Sequence, residues 1–291
     1  MARFAVIGGA GKMGRWLAAF LKDNGYEVVL ADTNVAALHE TAATLGLPAA
    51  VSNETVMDGV DYAIVAVPIE SFEDVIAGLA PHARPGQAVL DVTSTKTVPV
   101  AVMHRHLKEA AILGAHPLFG PGAGSIAGKN VVLTPTSPAE TALAERVRDF
   151  LVKREARVSL MSPAEHDEMM SLILGLPHFI ALVAADTLLG AGKLHAMDAA
   201  GSSTYKVLLT LVESVLSEDP DLYASIQMSL PRVIHYERQF SEKTAAWAGL
   251  VAKGDRAGFA RRMQALKKKL ATKAPDFETA YEKMYRLIEG L

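Results

Sequence analysis

No cysteine occurs in the 291 residues. That excludes disulfides, thiolate metal sites and cysteine nucleophiles, and it leaves the redox compartment open. Neither sign of charge is in excess: the formal net charge is -3 and the pI is near 6.3, so bulk electrostatics gives no reason to expect a nucleic-acid partner. The opening segment, Met1 to Gly8, lacks the apolar core and cleavage pattern of a signal peptide, and the expected location is cytoplasmic. The longest apolar run, Leu172 to Ala185, carries Pro177 and His178 and falls short of the roughly 20 residues a spanning helix needs. It reads as a buried helix, with no membrane partner expected. Internal repeats and low-complexity segments are also missing. What is present is an ordinary globular composition, 50% hydrophobic and 21% charged, at a length that suits two domains.

The first half alternates strand and helix patterns. Phe4 to Gly8 is a short β-rich run, followed by Gly9-Ala10-Gly11-Lys12-Met13-Gly14 and then a helical pattern to Lys22. This is G-x-G-x-x-G in strand, turn and helix context. Gly9 is expected to make the tight turn, Gly11 to let backbone approach a pyrophosphate and Gly14 to let the helix pack on the strand. The helix start, with its free N–H groups and dipole, would hold the phosphates. The second strand, Glu27 to Asp32, ends in an acid 18 residues beyond Gly14, where a ribose 2′-hydroxyl acceptor belongs. Asp32 would repel a 2′-phosphate and no arginine follows it, so NAD is favoured over NADP.

Asp61 to Pro68 is nearly continuously apolar, as in a parallel strand buried on both faces, and it places Val67 and Pro68 among the expected cofactor contacts. Ser71-Phe-Glu-Asp74 suggests a capping box opening the next helix. Ala88 to Ser94 is another strand and delivers Thr93, Ser94, Thr95 and Lys96 to the carboxyl edge, where open α/β sheets bind ligands. Thr93 joins the expected cofactor set. Lys96 could steer anions, hold the loop or be merely solvated. Ala111 to Ala115 delivers His116 to the same edge, in the loop Gly114-Ala-His-Pro-Leu-Phe-Gly-Pro121. A histidine before proline sits in extended backbone, and imidazole titrates near neutrality. By spacing alone His116 is either a proton carrier or a hydrogen-bonded loop residue. Asn130 to Pro135, a helix capped by Ser137 with Glu140, and Ala156 to Leu160 complete a sheet expected to have about eight strands and to end near Met161.

The second half is helical. Ser162-Pro163-Ala164-Glu165 combines a serine cap, a proline at the first helical position and a closing glutamate. His166 and Asp167 fall in the first turns, where a capping or surface histidine is the plainer reading of His166. From Glu168 to Gly190, and again from Val207 to Leu216, the sequence is apolar nearly all round, so these helices need enclosure on every side. A homodimer interleaving the helical domains would supply it. Arg261 to Lys269 reads as a solvated basic face, since no aromatics interleave it.

Gly9-Ala-Gly-Lys-Met-Gly14, Asp91-Val-Thr-Ser-Thr-Lys96 and Gly114-Ala-His-Pro-Leu-Phe-Gly-Pro121, in this order and spacing, resemble the prephenate dehydrogenase family of tyrosine biosynthesis. The resemblance covers roughly residues 3 to 231. It implies an α/β fold: an N-terminal Rossmann-type doubly wound sheet over 1–161, then an all-helical substrate and dimerisation domain over 162–291, similar to the C-terminal type of 6-phosphogluconate dehydrogenase. It implies NAD-dependent oxidative decarboxylation of prephenate to 4-hydroxyphenylpyruvate, in a short form without a chorismate mutase or regulatory segment. His116 would accept the hydroxyl proton, Ser94 would orient that hydroxyl or the imidazole, and His166, paired with Asp167, would bind substrate. The short members resembled usually carry an arginine six residues before Pro220, gripping a substrate carboxylate, and this chain has Ser214. Lys206 is then the candidate cation, without the bidentate fork of arginine. Arg232 is another. The departure leaves arogenate or a related cyclohexadienyl compound as an alternative substrate, and an inactive nucleotide sensor of the same fold as an alternative function. A β-hydroxyacid or imine reductase shares the layout but would want a lysine base in the second domain.

Overall fold

The computed structural model describes residues 2–290. The chain forms two compact units, Met1–Met170 and Ser171–Leu291. The first unit extends past the strand ending near Met161 because the helix Pro163–Met170 packs against it and buries His166, Asp167 and Met170.

In the first unit the strands are β1 (Arg3–Ile7), β2 (Glu27–Ala31), β3 (Tyr62–Val65), β4 (Ala88–Asp91), β5 (Ala111–Pro117), β6 (Asn130–Thr134) and β7 (Arg157–Leu160), and the helices are α1 (Lys12–Asp23), α2 (Val35–Leu45), α3 (Asn53–Met57), α4 (Ile69–Leu79), α5 (Thr97–His106), α6 (Pro138–Val152) and α7 (Pro163–Met170). The strands form one sheet of seven, not eight, in the order β2-β1-β3-β4-β5-β6-β7. All neighbours are parallel except β5 and β6, which pair His116 with Val132 in antiparallel register. The chain steps outward from β1 in one direction to β2 and in the other to β3, and the crevice at that reversal is where such sheets hold ligands.

The apolar strands are explained by burial on both faces. On β1, Val6 faces a core that includes Leu17, Leu21 and Leu143, while Ala5 and Ile7 face a second core with Phe72, Ile76 and Met103. Fully buried side chains such as Leu30 and Ile76 each contribute about 1.5–3 kcal/mol. Helix starts follow local chemistry. Ser137 accepts from the Glu140 N–H, and Ser162 and Glu165 exchange bonds reciprocally, Glu165 accepting from the Ser162 N–H at 2.9 Å. Ser71 is not a cap: α4 starts earlier, at Ile69 after Pro68, and the Ser71 hydroxyl donates back to the Pro68 carbonyl. Proline sets the entry angle there, so the serine falls inside the first turn.

The second unit contains α8 (Leu176–Gly190), α9 (Leu194–Ala199), α10 (Ser203–Leu216), α11 (Pro220–Ser229), α12 (Val233–Ala252), α13 (Arg256–Lys273) and α14 (Ala280–Glu289). A π-helical turn, Ser171–Gly175, makes the stretch Pro163–Gly190 one continuous helix of 28 residues. By length and composition it could cross a membrane, and only 17% of its most apolar window is buried. The expectation of a short buried helix is therefore corrected. Within a single chain Leu172, Ile173, Val183 and Leu189 lie open, because the few helices of this unit cover only one side, at Ala181 and Ala185.

Candidate active site

The nucleotide turn is built from glycines that the surrounding backbone requires. Gly8 has φ +79°, and a Cβ there would meet the Ala66 carbonyl oxygen at 2.3 Å. The left-handed residue of the turn is thus Gly8, one position before the Gly9 expected from the motif; Gly9 is needed instead because Val6 and Leu30 fill its Cβ position. A Cβ on Gly14 would meet the Gly8 carbonyl at 2.1 Å, so α1 packs directly on the turn. The helix begins after Gly11, which has no side chain to cap its N–H groups. Ala10 donates its N–H to Asp32 at 3.0 Å and Asn34 donates to the other Asp32 oxygen at 2.9 Å. The carboxylate is held at the end of β2 with lone pairs to spare for ribose hydroxyls. Lys12 and Met13 open α1, Val67 packs on Gly8 and Pro68 follows β3 on the surface. The Thr95 hydroxyl, also at the carboxyl edge, is buried with no partner. Open helix start, carboxylate acceptor and spare hydroxyl fit a dinucleotide.

Further along the sheet, at the ends of β4 and β5, lies a buried polar cluster. Lys96 is fully buried and ion-paired to the equally buried Asp91 at the end of β4. Its ammonium also donates to the Ala115 carbonyl at 2.7 Å, immediately before His116. Gly114 makes room for the lysine stem: a Cβ there would sit 3.1 Å from Lys96 Cδ and 2.3 Å from Thr134 Oγ1. Burial pulls the Lys96 ammonium down from its usual range, against the opposing influence of Asp91 and Asp167.

Asp167 joins α7 to the start of α5. Its two oxygens accept from the backbone N–H groups of Lys96 at 2.7 Å and Thr97 at 2.8 Å, so it caps α5 from another element. Burial raises its pKa, but bonds from His166 and Thr97 and from the Lys96 backbone outweigh that, and the group stays an anion below the usual carboxylate range. His166 Nδ1 lies 2.8 Å from Asp167 Oδ1, and His166 Nε2 lies 2.9 Å from His116 Nδ1. The carboxylate only accepts, so His166 Nδ1 carries a proton. In the tautomer in which both rings are neutral, Nε2 accepts from His116 Nδ1–H, and His116 Nε2 keeps a free lone pair. Burial foremost, then the Lys96 charge and His166, hold the His116 imidazole well below the ordinary histidine value. Such an imidazole favours its neutral form, and in that tautomer proton acceptance at Nε2 is the chemistry open to it.

Of the expected site residues, the structure brings His116 and His166 into direct contact. Ser94 is half-buried in the β4 loop, and among the described residues the imidazole is oriented by His166 rather than by Ser94. The Thr93 hydroxyl is committed to the Thr95 carbonyl at 2.9 Å, so its side chain holds the loop. Lys206 is exposed in the first turns of α10 and Ser214 is exposed near its end, bonded to the Leu211 carbonyl. Arg232 is exposed where α12 begins. Residues that motif reading missed are Gly8, Asp91 and the capping role of Asp167. Gly8 adjoins the motif in a run of two glycines, and Asp91 opens the Asp-Val-Thr-Ser-Thr-Lys run.

Two family models match consecutively: the nucleotide-binding domain of prephenate dehydrogenase over residues 17–160 and the dimerization domain of prephenate dehydrogenase over 162–265. A probable arogenate/prephenate dehydrogenase of Methanocaldococcus jannaschii is 31% identical over 273 residues, covering 93% of this chain and 61% of that protein. A T-protein of Enterobacter agglomerans is 31% identical over 264 residues, covering 87% of this chain and 64% of its own length. The chain thus spans under two thirds of these relatives. In fold it is similar to the prephenate dehydrogenase of A. aeolicus solved with hydroxyphenyl propionate and NAD+, with a TM-score of 0.77 at 20% identity over 92% of this chain and 97% of that one.

Proposed function

The chain belongs to the prephenate dehydrogenase family, and on that premise we propose that it oxidises and decarboxylates prephenate to 4-hydroxyphenylpyruvate with NAD. The observation that carries the reading is the Asp167–His166–His116 relay, which leaves one imidazole nitrogen as a neutral base at the carboxyl edge of a nucleotide-binding sheet. Gly11 and the start of α1 would hold the pyrophosphate, with Gly9 and Gly14 shaping the turn, and Asp32 would hold the ribose. The bound nicotinamide supplies the hydride acceptor. His116 Nε2 takes the proton of the ring hydroxyl as that carbon becomes a carbonyl; the carboxylate on the quaternary carbon across the ring then leaves as carbon dioxide, its electron pair passes through the ring to the carbonyl oxygen, and the oxygen recovers a proton as the phenol forms. Asp167 and His166 position His116, and Ser94 is proposed to bond the same hydroxyl. Lys206 is the proposed cation for a substrate carboxylate. The working form is proposed to be a cytoplasmic homodimer, supported by the dimerization-domain match and the open apolar helix.

Arogenate is the second substrate reading, favoured by Ser214 standing where an arginine is usual and by the double name of the archaeal relative. Turnover measured with prephenate and with arogenate, each with NAD and with NADP, tests both readings. Reduction of neither cofactor with either substrate would overturn them.

A further inference from the structure

On the face of the sheet that carries α1 and α6, the first unit holds a cavity of about 250 Å³. Its walls are almost wholly apolar and rich in rings, among them Trp16, Phe20 and Phe119. Well-packed interiors leave few voids larger than a water molecule. The Trp16 indole N–H is already given to the Ala123 carbonyl at 2.7 Å, so besides Arg146 only Tyr26 and Tyr62 bring side-chain polar groups to the lining. Dry apolar cavities of about 150 Å³ are known to take up benzene. This one has room for a substituted ring.

Two further features say what would enter. Arg146 is the one charged side chain on the lining; it is exposed on α6 and makes no ion pair among the described residues, while its neighbour Arg148 takes Glu145. A cation at the rim of an apolar pocket suits an anionic group on an apolar body. The second feature is the alternation of β5. Ala115 and Pro117 line the cavity, and His116 between them turns to the opposite face and its bond with His166. Trp16, two residues past Gly14 on α1, packs edge-on against Phe119 at 4.9 Å between ring centroids. One cavity therefore touches both the helix of the nucleotide turn and the strand of the base.

We propose that this cavity is a second ligand site, separate from the nucleotide turn and the histidine relay, for a small aromatic monocarboxylate whose ring lies against Trp16 and whose carboxylate meets Arg146. A ring seated there presses on β5 one residue to either side of His116, so occupancy acts on the base through the strand rather than by displacing substrate.

The two tryptophans are Trp16 and Trp247, so a Trp247→Phe background isolates Trp16 emission. Titration with 4-ethylbenzoate is expected to change that emission saturably. Arg146→Gln, on an exposed position, should weaken the binding at least about tenfold, the loss of one charge-assisted contact. Ile126→Phe and Val147→Phe, each filling the cavity from a different wall, should abolish it while retaining a cooperative thermal transition. His116→Asn should leave it unchanged. No emission change would overturn the proposal. So would binding insensitive to Arg146→Gln, binding lost in His116→Asn, or equal affinity for neutral ethylbenzene. The readout does not involve turnover, so its failure leaves the proposed reaction standing.

Discussion

The two units of this chain satisfy their awkward side chains in opposite ways. In the first, charged and polar groups are buried and matched inside one chain: Lys96 with Asp91 and the Ala115 carbonyl, His116 with His166, and Asp167 with two backbone N–H groups. In the second, apolar side chains lie open, with Ile173 47% and Leu189 56% exposed. Among the described residues, buried side-chain polar atoms without a hydrogen-bond partner also concentrate there, His178 Nδ1, Tyr205 Oη and Gln227 Oε1 against Thr95 Oγ1 in the first unit. A proton relay needs only a few groups in fixed register, and one folded domain provides them. An apolar helix needs cover on all sides, and a short helical unit does not provide it. The first unit matches its buried charges within one chain, and the second leaves an apolar face open.

The sharpest way to break this comparison is to remove the base. His116→Asn should lower turnover by about 10³-fold while changing the affinity for NAD less than about twofold, as read by steady-state kinetics and fluorescence titration. Unchanged turnover would remove the relay from the mechanism. Next in size is Lys96→Met, which strands Asp91 as a buried unpaired charge and should cost about 3–5 kcal/mol in denaturant unfolding. Lys96→Met combined with Asp91→Asn should cost clearly less, because no uncompensated charge remains. If the double variant is no better than the single one, the pair is not a matched unit.

The helical unit is tested by Ile173→Glu with Leu189→Glu. On a single exposed chain these changes cost little, within about 0.5 kcal/mol each. Across a dimer interface they bury charge, and sedimentation velocity should show monomer where the parent chain is dimer. Wild-type chain that floats with phospholipid vesicles would instead mean that this face meets lipid.

Asp32→Asn should weaken NAD binding about tenfold, roughly 1.4 kcal/mol, and narrow the preference over NADP. The smallest effects are those of pH. With its pKa held well below the ordinary value near 6.5, His116 stays a base as pH falls through that value, so the acid limb of turnover should lie well below pH 6.5. For stability the sign is the same: the unfolded imidazole takes up a proton first, so the contribution of His116 is intact above about pH 6.5 and is lost as pH drops toward the folded pKa. Thermal melts of His116→Asn should be flatter than the parent across that window.

Much of this was legible before any coordinates. The glycine turn, the acid ending β2, the doubly buried strands and the Ser162 cap each follow from spacing over a few residues, because strand burial, helix capping and tight turns are local physics. So does the arrival of Ser94 and His116 at one sheet edge, since parallel strands all end on the same side. The sequence was less informative where partners are distant or absent. His116 and His166 lie 50 residues apart, and no periodicity says that their ring nitrogens meet at 2.9 Å. Lys96 reads equally as solvated, and only packing under Gly114 turns it into a buried ion pair. The apolar run from Glu168 to Gly190 announces a need for cover without saying whether the same chain meets it. By itself, then, the sequence determined the alternating strand–helix half, the helical half and the nucleotide cradle through short-range pattern, and its resemblance to a known family singled out His116 as the candidate base. Tertiary structure decided which histidine meets His116, why that imidazole is held neutral and which apolar face stays open, because those depend on desolvation and on contacts between segments far apart along the chain.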